Sequence, residues 1–205
     1  MDHSNNLTLI GAEDVITDVI RERRSIYPDE FLAKDIPQNI VEEILVNATW
    51  APTHKMTEPW RFIVLQGTHQ YQFGLYMANY YKNYYLEKLS HSKFAAKFKY
   101  LQEYPLKAAC MIAIILVRHP KIALPEWEEI AAVSCAVQNM ALSCTAYGLG
   151  GYWCSTDAAI EYVKELGLAE NERSLGLFIM GHFDPLAITP RKKRSPLTKK
   201  VTWLK

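Results

Sequence analysis

The stretch from Ile130 to Tyr147 carries no charged residue and leads into Gly148-Leu149-Gly150-Gly151. It constrains the fold more than any other segment. It is long enough to raise the question of a membrane span, yet Ser134, Gln138, Asn139, Ser143 and Thr145 suit it poorly to lipid. Ala131, Ala132, Ser134, Cys135, Ala136, Ala141, Ser143, Cys144, Thr145 and Ala146 put small side chains on nearly every face of a helix running from Glu126 to Tyr147. A helix that is apolar or small all round is buried, and small residues let neighbouring backbones approach closely. In a chain of 205 residues, cover on every side comes most simply from a second copy. A homodimer is therefore expected, with a central helix of a monomer as the alternative. Gly148 is expected to close the helix in a left-handed conformation.

The remaining elements follow from periodicity. Val15, Ile16, Val19 and Ile20 have helical spacing within 9–24. Asp35 is a plausible N-cap, with Pro37 in the first turn of a second helix whose apolar face is Val41, Ile44, Leu45 and Ala48. Pro52 disfavours helical geometry at Ala51, so that helix ends there. A loop then leads into the strand Arg61–Leu65. Residues 69–102 read as helical and aromatic, with Phe73, Tyr76, Tyr80 and Tyr84 in one stripe. Ala108–Val117 is a nearly unbroken apolar run, the pattern of a strand covered on both faces. Gly150–Cys154 is a short strand or loop, Ala158–Leu166 an amphipathic helix, and Ser174–Phe183 a further strand. Helices outnumber strands and cover a small mixed sheet. The class is α+β in a three-layer α/β/α arrangement, as a single domain over 1–205.

Composition excludes several functions. A formal charge of +1, with 49% apolar and 22% charged residues, is ordinary globular usage and argues against a nucleic-acid or anionic-membrane binder. Cys110, Cys135, Cys144 and Cys154 form no CxxC pair. They read as reduced thiols in a cytoplasmic protein, and the first residues lack a secretory signal pattern. The six histidines are scattered singly, with no HExxH and no G-x-S-x-G, so no metal is expected. The glycines at 148–151 follow a helix rather than a strand, unlike a dinucleotide fingerprint. Cys154 as a nucleophile lacks a histidine partner.

Two basic clusters lie far apart, Arg23-Arg24-Ser25 and Arg191-Lys192-Lys193-Arg194. Each alone also fits a solvated surface face. Together with Ala51-Pro52-Thr53-His54-Lys55-Met56-Thr57-Glu58-Pro59-Trp60, they suggest a phosphate-bearing cofactor held between distant parts of the chain, because guanidinium groups bind phosphate through paired charge-assisted hydrogen bonds. Arg-Arg-Ser, Ala-Pro-x-His-Lys-x-x-x-Pro-Trp and Gly-Leu-Gly-Gly-Tyr-Trp, in this order from about Val15 to Leu204, resemble the FMN-dependent nitroreductase family, most of all its small bacterial branch.

The resemblance implies a mainly antiparallel sheet, a homodimer, FMN as cofactor and NADH or NADPH as co-substrate. It implies a ping-pong reaction with nitroaromatic, quinone-like or related conjugated small-molecule acceptors, and no side chain acting as the catalytic group. Arg23, Arg24 and Ser25 correspond to the N-terminal FMN contacts, and Arg194, with Lys192 as a further candidate, to the C-terminal phosphate contact. Trp50 and His54 fall where the branch contacts FMN from the partner subunit. Trp153, Cys154 and Ser155 match the segment at the ring edge, and the tail 184–205 would extend over the partner. Met56 and Glu58 depart from the wider family, which carries asparagine and glutamine there. Tyr81 and Tyr85, off the main aromatic stripe, are candidates for the acceptor pocket. Two alternatives stay open: a flavoenzyme of the same fold with another reaction (reductive dehalogenation, metabolite dehydrogenation, flavin cleavage), and a non-catalytic homodimeric binding protein.

Overall fold

The computed structural model describes residues 11–188 and 194–204. Its helices are α1 (Ala12–Glu22), α2 (Gln38–Thr49), α3 (Thr68–Tyr80), α4 (Lys82–Leu86), α5 (His91–Glu103), α6 (Glu126–Ala146) and α7 (Asp157–Lys164). Its strands are β1 (Phe31–Leu32), β2 (Trp60–Leu65), β3 (Cys110–Val117), β4 (Leu149–Cys154) and β5 (Glu172–Phe183). β5 is the hub of the sheet and pairs antiparallel with β3, β4 and, near its end, β1, while β2 pairs antiparallel with β3.

The unbroken apolar run of β3 is explained by cover on both faces. Cys110, Ile112, Ile114 and Leu116 join α2 and α6 in one core, with Ile44, Val133, Ala136 and Met140. Met111, Ala113 and Ile115 join α3, α5 and α7 in the other, with Phe73, Met77, Leu101 and Val163. The result is the three-layer α/β/α arrangement expected from the sequence.

Several expectations are corrected. The residue capping α2 is Pro37, and Asp35 lies outside the helix. Proline suits a helix start because it lacks an N–H and its φ is fixed. The helix ends at Thr49, two residues before Ala51, since Trp50 already leaves helical geometry. Residues 69–102 are helical as expected, in three pieces, with Tyr81 between α3 and α4 and Ser90 ahead of α5. Ser90 takes extended geometry (φ −62°, ψ 156°) and starts α5 afresh, its carbonyl accepting from Phe94 N at 2.8 Å. Of the two options left open for 150–154, strand is the one observed, within β4. Gly148 does sit at φ 67°, directly after the cap of α6.

The apolar stripe of α1 faces outward: Val15 is 65% exposed, and Ile16 and Ile20 about half. On α6, Trp127, Ala131, Cys135 and Gln138 form an exposed line at spacings of three and four residues. A single chain thus leaves uncovered part of the helix that the sequence marks for burial.

At the far end of the sheet, Arg61 Nε and Nη2 donate to the two carboxylate oxygens of Glu172, both at 2.6 Å. The Arg61 hydrogen bonds hold the Glu172 carboxyl below its ordinary range, against the opposing effect of burial. A depressed folded-state pKa means the pair's contribution is complete above the unfolded value of about 4.3 and is lost as pH falls through the lower folded value. Glu172→Gln is expected to destabilise the protein by about 2 kcal/mol at neutral pH and to flatten the acid limb below pH about 4. Urea denaturation from pH 7 to pH 3 checks both. An unchanged neutral midpoint would contradict the assignment.

Candidate functional site

After α1 the chain runs extended. Ser25 forms a parallel bridge with Gly151 of β4, and Ile26 N donates to the Gly151 carbonyl at 3.4 Å. Glycine at 150 permits this approach, because an added Cβ would lie 2.6 Å from Ile26 Cβ, and Ile26 is buried. Gly150→Ala is expected to cost about 1–3 kcal/mol by overpacking and to push residues 23–26 off the strand. Thermal unfolding together with FMN titration checks this, and an unaltered affinity for FMN would show that this approach does not position Arg23.

Residues of an extended segment point alternately to opposite sides. Arg23 and Ser25 line a cleft of about 240 Å³ with Gly151, Tyr152, Trp153 and Phe178 on the sheet and Ser134, Val137, Gln138 and Ala141 on α6. Ser134 and Ala141 are small, which leaves room at that face of α6. Trp153 is fixed by its indole N–H, which donates to the Leu175 carbonyl at 2.7 Å.

The electrostatics are unusual for a neutral chain. The Arg23 guanidinium is pushed below its ordinary pKa, first by burial, then by the positive charges of Arg194 and Arg24. Arg194 is 171 positions further along the chain, so the tail brings a second cation to the first. Like charges gathered in a partly desolvated place, beside an open cleft, fit an anionic group of more than one charge.

The remaining sequence candidates do not line this cleft or lie outside the described residues. Arg24 turns away from this cleft and donates to Glu22 Oε2 at 2.6 Å. Cys154 is buried in the second core, and Ser155 is exposed beside it. Lys192 lies outside the described residues. Trp50 is 82% exposed, and His54 Nδ1 lies 2.5 Å from Glu128 Oε2 at the start of α6. Neither borders this chain's own cleft. The loop that carries them is strained: Lys55, Met56 and Glu58 all have positive φ (53°, 53° and 44°), a cost that persists where surroundings or function demand it. Tyr81 and Tyr85 pack against the second core rather than the cleft, whereas Tyr80 and Tyr84 of the aromatic stripe are about half exposed. Ser134, Gln138, Ala141 and Gly151 stand out in the sequence for size, polarity or turn formation, not as site residues. The absence of charge and bulk on that face of the helix was the available signal. Among the described residues there is no cluster suited to a metal ion, and no helix is long and apolar enough to cross a membrane.

An antiparallel sheet between helical layers, with a cation-lined cleft where the first helix meets the strand after the long helix, defines the class. A nitroreductase family model matches residues 20–182, and the chain belongs to the nitroreductase family of oxidoreductases. YfhC of Bacillus subtilis, whose name places it with the NAD(P)H nitroreductases, is 30% identical over 200 residues, covering 94% of this chain and 96% of its own. A nitroreductase-like protein of Bacillus cereus superposes with a TM-score of 0.74 at 27% identity, covering 92% of this chain and 95% of its own. The FMN-dependent nitroreductase NfnB of Mycobacterium smegmatis, solved with NADPH, shares the fold at a TM-score of 0.73 and 15% identity, covering 95% of this chain and all of its own.

Proposed function

We infer that this chain is an FMN-dependent oxidoreductase that takes reducing equivalents from NADH or NADPH and passes them to conjugated acceptors such as nitroaromatics and quinones. The observation that carries the reading is Arg23 lining the cleft with Ser25, Trp153, Ser134 and Ala141, near enough to Arg194 to feel its charge. A phosphate monoester, largely dianionic at neutral pH, is the part of FMN that fits the two guanidinium groups. When bound, FMN supplies the hydride chemistry through its ring.

The protein's share is binding, orientation and electrostatics. Arg23 and Arg194 hold the phosphate end. Ser25 offers a hydroxyl on the same side, and the backbone of Gly151–Trp153, which lines the cleft, would border the ring. Lys192 is the further candidate for positive potential there. The cleft's open side leaves one face of a flat ring accessible, so that nicotinamide and acceptor occupy the same space in turn. No side chain on that face is required to act as acid or base.

The active form is read as a homodimer. The exposed line on α6, the exposed stripe of α1, and the exposed Trp50, Trp127, Trp203 and Leu204 supply a surface that a second copy would cover. In that arrangement Trp50 and His54 reach the neighbouring protomer's cleft, Glu128 sets the orientation of His54, and the tail 184–205 lies across the partner. The protein is placed in the cytoplasm. Initial rates with NADPH and a quinone, each varied at several fixed levels of the other, test the reaction. Parallel double-reciprocal lines are expected, and intersecting lines would exclude the alternating use of one space. Sedimentation at micromolar concentration is expected to give twice the protomer mass, whereas a monomer would remove the partner's part in the site.

A further inference from the structure

The extended segment after α1 separates two cavities. Arg23 and Ser25 face the cleft described above, while Arg24 and Ile26 face another of about 250 Å³ on the opposite side. Its walls include Ile26, Leu149, Phe183 and Ile188, and Arg24 and Glu22 border it. Arg24 belongs to the sequence motif, yet its side chain points into this space and not toward the cleft.

We propose that this second cavity binds a small carboxylate with an apolar body, its carboxylate on Arg24 and its hydrocarbon part among Ile26, Leu149 and Ile188. The chemistry is written in the ion pair at its edge. Glu22 Oε2 accepts from Arg24 Nη2 at 2.6 Å, so a carboxylate already occupies the guanidinium. The Glu22 side chain is 53% exposed, against 23% for Arg24. A solvent-facing carboxylate holds its partner weakly. A ligand whose apolar part leaves water on binding would compete for that partner with the hydrophobic gain on its side. Among the described residues Arg24 is the one guanidinium at these aliphatic walls, a pairing that suits a monoanion. The site is independent of the flavin reading, since it shares the backbone of residues 23–26 with the cleft but none of the side chains that face it.

The test uses the full chain, with and without saturating FMN, titrated with octanoate by isothermal calorimetry, with octanol as the uncharged control. One octanoate per protomer is expected in both states, with octanol binding at least tenfold more weakly. Arg24→Gln is expected to weaken octanoate at least tenfold, and Glu22→Gln to tighten it by removing the competing carboxylate. Arg23→Gln is expected to leave it unchanged. Absence of saturable binding, equal affinity in Arg24→Gln, or weaker binding in Glu22→Gln would overturn the proposal. So would binding that appears only after removal of residues 195–205, which would identify the tail of a second copy as the occupant. Failure of FMN to bind, with octanoate still bound, would overturn the flavin reading alone.

Discussion

Replacing Arg23 with alanine is expected to weaken FMN binding by about ten- to a hundred-fold, while leaving the FMN-free protein as stable as before or slightly more so. The two halves of this result have one cause. In the free protein, Arg23 is partly desolvated and repelled by Arg194 and Arg24, which is why its pKa falls. Removing it relieves that repulsion. In the proposed complex the same group would make charge-assisted hydrogen bonds to the phosphate, each costing about 1.5–3 kcal/mol to lose, and about 1.4 kcal/mol is a factor of ten in affinity. Fluorescence titration of FMN and thermal unfolding of the FMN-free form measure the two effects separately. Arg194→Ala should behave alike. A fall in stability without a change in FMN affinity would make Arg23 a structural residue and remove it from the site.

Gly176→Ala is expected to be the most damaging single substitution in the sheet. Ala113 pairs with Leu177 and Ile115 with Ser174, so Leu175 and Gly176 together oppose Ile114 alone. This is a β-bulge, and its glycine sits at φ 96°. A Cβ there would lie 2.3 Å from the Cys154 carbonyl oxygen, a backbone atom that cannot swing aside. Backbone strain of about 1–3 kcal/mol adds to about 1–3 kcal/mol of overpacking. At this chain length the sum of about 4 kcal/mol lowers Tm by roughly 10 °C. The bulge also presents the Leu175 carbonyl to Trp153, so the surviving folded fraction should bind FMN more weakly. Calorimetry of the FMN-free variant reads the first effect, and a shift of under a degree would show that the bulge tolerates a side chain.

How much of this was legible beforehand depended on whether the signal was local. The run 108–117 announced its two-sided burial because both faces of β3 need apolar residues, and the small residues of α6 announced close packing. Arg23 and Arg194 could be suspected only as a pair, since each basic cluster alone is also what a solvated surface looks like. Their approach is a property of the folded tail. The division of labour between Arg23 and Arg24 was invisible in the sequence. It follows from the alternation of an extended segment whose existence depends on Gly150 meeting Ile26. Aromatic periodicity gave helix over 69–102 but not its breaks, because a stripe of tyrosines looks the same whether one helix or several carry it, and past the break at Tyr81 it is Tyr85 rather than Tyr84 that packs on the core. Gly176 was readable in principle, since a glycine inside a strand signals a bulge.

The most direct test of the central claim is the visible absorption spectrum of the protein reconstituted with FMN and freed of excess, recorded before and after anaerobic addition of NADPH or NADH. A bound flavin band at one FMN per protomer, bleached by the nicotinamide and restored by a quinone, is the predicted result. A colourless protein that retains no FMN would contradict the account, as would a yellow one that neither nicotinamide bleaches.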